Sequence, residues 1–207
     1  MDAKPLHDAI LAGDAKTAKS STETALAAGF EPLSLVQDYM MPAMEEVGRR
    51  FERNEYFVPE LLLSARAMKS GLELIRPLLV AGGVEPVGRV VIGSVKGDLH
   101  DIGKNLVAAM LEGGGYEVID LGVNVDPQKF VAAVKEKKAR IVALSALLTT
   151  TMPAMKSTID ALKQAGLRDQ VKVMVGGAPV GEAYAKEIGA DGYSKSAAGA
   201  VAAAREL

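Results

Sequence analysis

His100 is the residue whose type and setting point most directly to chemistry. The chain has one other histidine, His7, and no cysteine. A zinc or iron centre built from three or four imidazole or thiolate ligands therefore cannot be assembled from its side chains. A metal whose in-plane ligands come from a macrocycle needs only one protein ligand, and one imidazole serves. Asp98, two positions earlier, can accept the other ring N–H of His100, which fixes the tautomer and raises the basicity of the free nitrogen. Both residues lie in Val95-Lys-Gly-Asp-Leu-His-Asp-Ile-Gly-Lys-Asn105, between an apolar β-branched run (87–95) and a helical pattern carried by Leu106, Ala109 and Met110. That setting is a loop at the carboxyl end of a strand, where open α/β sheets bind ligands.

Two phosphate-binding readings of the same loop fail on spacing. A P-loop needs G-x-x-x-x-G-K-[ST], whereas Gly97 and Gly103 enclose five residues and Lys104 is followed by Asn105. Gly93, Gly97 and Gly103 are too widely spaced for the dinucleotide turn G-x-G-x-x-G. Taken alone, the Asp98 and His100 pair also fits a hydrogen-bonded surface pair of no functional consequence.

The elements around this loop divide the chain in two. Residues 1–81 read as helices throughout: Pro5 to Ala12, Asp14 to Ala28, Pro32 to Arg53 with a kink expected at Pro42, and Pro59 running toward Pro77. The third carries Leu35, Val36, Tyr39, Met40, Ala43, Met44 and Val47 on one face, and short connections imply a four-helix antiparallel bundle. By periodicity alone this half fits a packing or dimerisation domain, with methionines as core filler. Gly82, Gly83, Pro86 and Gly88 punctuate a flexible linker over 82–88. Across 89–207 strand and helix patterns alternate, with strands expected at 88–95, 116–122, 140–147, 171–177 and about 191–194. Helices are expected at 104–113, 127–138, 152–165, 181–188 and 197–207. The strands are near-continuous apolar runs, so a doubly wound parallel sheet of five strands, covered on both faces, is expected.

Asp98-x-His100-x-x-Gly103 is followed in order by Ser145-x-Leu147 and by Gly176-Gly177. This resembles the D-x-H-x-x-G, S-x-L, G-G signature of cobalamin-binding domains. The string VKGDLHDIGKN is similar to the corresponding loop of cobalamin-dependent methionine synthase, and the whole chain resembles the small corrinoid proteins of methanol, methylamine, betaine and methoxy-aromatic methyltransferase systems. The resemblance implies a flavodoxin-like strand order 2-1-3-4-5 and a corrinoid bound with its own base displaced and His100 as lower axial ligand to cobalt. Gly97, Leu99, Asp101 and Gly103 would complete that loop's contacts. Thr151 would extend a relay through Asp98 to His100. Ser145 and Thr149 would offer hydroxyls to the nucleotide tail, Leu147 would pack on its base, and Gly176-Gly177 would let the backbone approach it. Tyr193 and Ala197 fall in the last strand and turn, where the family's backbone nears the tail.

The segment from Glu46 to Met68 resembles the family's helical cap. By that match Gln37, Met44, Phe51 and Val58 would line the reactive face of the corrin. Val58 is smaller than the leucine expected there, and the Gln37 amide cannot act as an acid where methionine synthase has a glutamate. The implied activity is that of a methyl carrier, a subunit rather than a complete enzyme. A substrate:corrinoid methyltransferase would methylate cobalt(I), and a corrinoid:thiol or corrinoid:tetrahydrofolate methyltransferase would remove the methyl group. A reductive activase would rescue oxidised cofactor. A cobalamin-dependent regulator or light sensor and a corrinoid mutase subunit share parts of the signature. The former needs a DNA-binding segment and the latter normally lacks this cap.

A net charge of −2 with no basic block leaves no electrostatic footprint for nucleic acid or an anionic membrane. No apolar run is long enough to span a bilayer, and the acidic, amphipathic MDAKPLHDAI does not resemble a signal peptide, so a cytoplasmic location is expected.

Overall fold

The computed structural model describes residues 2–82 and 86–207. Residues 83–85 of the expected linker lie outside the described residues. The chain forms two compact units. One comprises the described residues up to Val87 together with Ala109–Gly115, and the other Gly88–Ala108 together with Tyr116–Leu207.

The first unit is helical. α1 (Lys4–Leu11) turns at Gly13 into α2 (Ala15–Ala27), whose start is capped by the Asp14 carboxylate accepting the Thr17 N–H at 3.0 Å. Gly13 has φ +71, and a Cβ there would lie 2.7 Å from Leu63 Cβ, so the turn needs glycine both for its conformation and for its close approach to the long helix. The third segment opens as α3 (Pro32–Ser34), widens into a π-helical stretch (Leu35–Met40) and continues as α4 (Met41–Glu52). Where a kink is expected at Pro42, the helix widens before the proline and runs on. Proline offers no N–H and its ring crowds the carbonyl four residues back. The widened turn before it, closed by Met41 N–H to the Val36 carbonyl, lets the helix run on. α5 (Val58–Ala81) continues through Pro77, past the end expected from sequence. Pro77 lies on the exposed side of the helix, where water can take up the carbonyl it leaves free.

The third helix buries the face expected of it, whereas in α5 Leu62 and Leu63, expected on the buried face with Met68, Leu72 and Ile75, stand exposed and Leu61 and Ala67 face the core instead. Leu35, Val36, Met40, Ala43, Met44 and Val47 are buried, as are Leu61, Ala67, Met68, Leu72 and Ile75 of α5. Tyr39 packs edge-on to Phe30, with ring centroids 6.3 Å apart.

The second unit is a parallel sheet of β1 (Arg89–Ser94), β2 (Glu117–Asp120), β3 (Ile141–Ser145), β4 (Lys172–Gly176) and β5 (Gly192–Tyr193). Its order is β2-β1-β3-β4-β5, as expected. The crossovers are α6 (Ile102–Gly113), α7 (Pro127–Lys137), α8 (Pro153–Gln164) and α9 (Glu182–Glu187), and α10 (Ala197–Glu206) follows the last strand. Val91, Val142 and Val173 from three adjacent strands are fully buried. Gly93 makes room for the α7 ring of Phe130: a Cβ there would lie 2.9 Å from Phe130 Cζ. Ser94 pairs with Ser145 and Ser145 with Gly176, so β1, β3 and β4 end level and present their loops on one edge.

Candidate functional site

The site is built where the loops after β1 and β3 meet. After Val95 the chain turns through Gly97, whose φ of +86 favours glycine. That turn directs the Asp98 side chain inward, where it is fully buried. One carboxylate oxygen accepts both the His100 N–H at 3.0 Å and His100 Nδ1 at 2.8 Å. The other accepts the Leu147 N–H at 2.7 Å and the Thr151 hydroxyl at 2.6 Å. Thr151 Oγ1 also lies 2.9 Å from the Leu148 carbonyl. A hydroxyl has one proton, and the charged, closer acceptor takes it.

Burial pushes the Asp98 carboxyl up, but the bonds from Thr151, Leu147 and His100 outweigh it and hold the group well below the usual carboxylate range. A permanent anion therefore orients the imidazole through Nδ1. Nε2 has no partner among the described residues, and the ring's side chain is 48% exposed. This is the geometry of a metal ligand whose second nitrogen is held by a carboxylate. Among the described residues no group of three or more His, Asp, Glu or Cys side chains could hold a metal on its own.

The surroundings suit a flat apolar ring system. Leu99 is 71% and Ile102 72% exposed, and Leu147 and Leu148 stand exposed on the facing loop. An apolar patch of this kind, rimming one free imidazole nitrogen, marks a ligand surface. Gly103 lies in the first turn of α6, where glycine costs about 1 kcal/mol relative to alanine. Among the described residues beyond its own helical turn, nothing comes within 4 Å of where its Cβ would be. The protein's own packing does not demand that glycine.

The remaining expected residues of this unit sit as follows. Ser145 is partly buried at the end of β3, Thr149 is exposed on the next loop, and Asp101 accepts a bond from Asn105 Nδ2 at 3.2 Å. Tyr193 is half-buried in β5, and Ala197 is buried at the start of α10. Gly177 has φ +134, and a Cβ there would lie 1.9 Å from the Ala146 carbonyl oxygen. The fold itself therefore demands this glycine, whatever passes beside it. In the helical unit Gln37 is exposed on the π-helical stretch, while Phe51 and Val58 are half-buried near the α4–α5 turn. Met44 is buried inside that unit, where a Cβ on Gly113 would lie 2.9 Å from its Cγ. As placed, Met44 is core rather than a surface for a ligand.

Three residues at this edge were not singled out from sequence. Ser94 donates its hydroxyl to the His100 carbonyl, and Asn124 is bonded to the Gly97 and Asp98 main chain. Lys104 is buried, paired with Asp120 and bonded to Asn105 Oδ1 at 2.7 Å. Ser94 closes an apolar strand and Asn124 sits in an unremarkable loop, so only long-range pairing brings them to the site.

The family description "B12 binding domain" matches twice, over residues 88–202 and over residues 3–76. The chain is 46% identical over 202 residues to trimethylamine corrinoid protein 1 of Methanosarcina acetivorans, covering 97% of this chain and 94% of that one. It is 43% identical over 203 residues to the dimethylamine corrinoid protein of Methanosarcina barkeri, covering 98% and 95% respectively. It also superimposes on a chain of the methanol:cobalamin methyltransferase complex MtaBC from Methanosarcina barkeri with a TM-score of 0.85 at 33% identity, covering 97% of this chain and 76% of that one.

Proposed function

This chain belongs to the family of B12-binding corrinoid proteins, and from that premise we propose that it shuttles a methyl group between two partner methyltransferases, with His100 as the axial ligand of its corrinoid. When bound, the corrinoid supplies a cobalt atom that takes up a methyl group and later releases it. The chain's own residues would hold the cofactor, and Asp98 would set the basicity of the His100 nitrogen that meets it. His100 presents a free Nε2, Asp98 holds Nδ1 as the donor, and Thr151 and the Leu147 N–H keep Asp98 ionised. That relay, ending in an imidazole nitrogen without a partner among the described residues, in the loop that exposes Leu99 and Ile102, is the observation that carries the reading. The apolar loop surface supports the ring system. Ser145, Thr149 and Gly176-Gly177, on the level ends of the neighbouring strands, suit a nucleotide tail with its base displaced.

The first partner is a substrate:corrinoid methyltransferase. Methylated amines are the first donors to try, because relatives at 43–46% identity carry trimethylamine and dimethylamine in their names. The second is a corrinoid:thiol or corrinoid:tetrahydrofolate methyltransferase, and a reductive activase restores oxidised cofactor. A cytoplasmic location fits these partners. No helix among the described residues is long and apolar enough to cross a membrane. Reconstituting the protein with hydroxocobalamin and presenting it, reduced, to candidate amine methyltransferases tests the reading. Stoichiometric methylation of the bound cofactor is expected, and failure to retain any corrinoid through gel filtration would overturn it.

A further inference from the structure

Asp98 orients the ring of His100, yet Asp98 and His100 share one short loop, and a loop cannot hold itself in place. The loop after β3 holds the Asp98 side chain, and two further side chains hold the main chain of the His100 loop. Ser94, fully buried at the end of β1, donates its hydroxyl to the His100 carbonyl at 2.5 Å. Asn124, in the loop between β2 and α7, accepts the Gly97 N–H on Oδ1 at 2.8 Å, and its own N–H donates to the Asp98 carbonyl at 2.8 Å. Asn124 sits at φ +51, a left-handed conformation that asparagine tolerates better than most residues. The neighbouring Lys96–Asp126 pair spans the same two loops, but both side chains are half-exposed or more, so it contributes little.

The main chain is thus held at Gly97, at the Asp98 carbonyl, and on both sides of the His100 Cα, through its N–H to Asp98 and its carbonyl to Ser94. With the Cα fixed, Nε2 can advance or withdraw only by rotation of the side chain, and Asp98 tethers that rotation at Nδ1. Such a ligand can leave a metal and return to the same place.

We propose that Ser94 and Asn124 are positioning residues for His100, forming a main-chain clamp that sets how readily its imidazole engages the bound cofactor. The proposal rests on His100 being the axial ligand. It adds that ligand occupancy is governed from β1 and the β2–α7 loop as well as by the relay through Asp98 and Thr151.

The test uses full-length protein, empty and loaded with cobalamin. Asn124→Gly keeps the positive φ and the N–H to Asp98 while removing only the acceptor for Gly97. Asn124→Asp restores an acceptor, and Ser94→Ala deletes the hydroxyl without adding volume. In the empty protein, deuterium exchange at the Gly97 amide should quicken roughly fivefold in Asn124→Gly, the factor carried by about one neutral hydrogen bond, while the Leu147 amide keeps its rate. In the loaded, cobalt(II) protein, the fraction of the electron paramagnetic resonance signal split by one axial nitrogen should fall in Asn124→Gly and Ser94→Ala, fall furthest in the double variant, and recover in Asn124→Asp. If Gly97 exchange quickens in Asn124→Gly yet the nitrogen-split fraction stays at the wild-type value, the clamp does not position the ligand and the proposal is overturned. Should Ser94→Ala fail to fold, the Asn124 pair decides the matter alone. His100→Ala separates the two claims: if it too keeps the nitrogen splitting, the axial-ligand assignment itself has failed, and the clamp with it.

Discussion

At the scale of single residues, the site's properties follow from one buried carboxylate with four hydrogen bonds. Because Asp98 is fully buried, each lost bond leaves a charged acceptor short of a partner that water cannot replace. Thr151→Ala should therefore cost about 1–3 kcal/mol of stability, whereas Thr151→Ser, which keeps the hydroxyl, should unfold near the wild-type urea midpoint. Equal midpoints for the alanine and serine variants would show that the hydroxyl contributes nothing to holding Asp98. The residue that meets the cofactor behaves differently. His100 gives Nε2 to solvent but Nδ1 to Asp98, so His100→Ala should lower the urea midpoint as Thr151→Ala does yet still fold and bind a corrinoid, while the cobalt(III) absorption spectrum changes to that of a form with no protein nitrogen. An unaltered spectrum would remove His100 from the axial position.

At the scale of elements, two glycines decide how closely segments approach. Gly177 closes the turn after β4 against the Ala146 carbonyl, with no room for a Cβ and with a φ that side chains avoid. Gly177→Ala must push the β3 and β4 loops apart at the edge that carries Leu147. Corrinoid affinity measured by ultrafiltration should fall at least tenfold, beside a loss of stability of about 1–3 kcal/mol from backbone strain. Gly71 plays the corresponding part in the bundle. A Cβ there would lie 2.4 Å from Met40 Cε and 2.7 Å from Thr22 Oγ1, where α2 and the π-helical stretch converge on α5. Methionine can bend away but buried Thr22, bonded to the Ala18 carbonyl, cannot move so easily. Gly71→Ala should cost about 1–3 kcal/mol, seen as a lowered thermal midpoint, with the axial-nitrogen signal of the loaded protein unchanged.

At the scale of the whole molecule, two compact units raise the question of which one the cofactor stabilises. A ligand at a hundred times its dissociation constant adds about 2.7 kcal/mol to whatever structure holds it. The relay and the apolar loops all belong to the sheet unit. Hydrogen exchange on loading should therefore slow most for the β1, β3 and β4 amides and least for those of α2 and α5. Equal slowing throughout would mean that the two units open only together.

Much of this was legible in the chain as a string. Local patterning sufficed for the strand and helix alternation, because strands covered on both faces need continuous apolar runs and amphipathic helices need a repeating face. The inventory sufficed for the chemistry: with two histidines and no cysteine, few metal sites remained open to it. The ordered spacing of Asp98, His100, Gly103, Ser145, Leu147 and the glycine pair survived folding because all three motifs end adjacent parallel strands. Other features depend on distance across the fold. Pro42 marks an irregularity in the sequence, but whether a helix breaks, kinks or widens depends on whether its apolar face stays buried beyond it. Pro77 was tolerated because it faces solvent. Met44 has the periodicity of a core residue and of a ligand contact alike, and packing decided for the core. The C-terminal half of α6 groups with the helical unit although it lies between two strands of the sheet, so no boundary drawn along the chain separates the units. Ser94 and Asn124 carry no local signature at all, since a hydrogen bond to a main-chain carbonyl or N–H can come from any polar side chain that the topology brings within reach, and only the tertiary structure brings these two to His100.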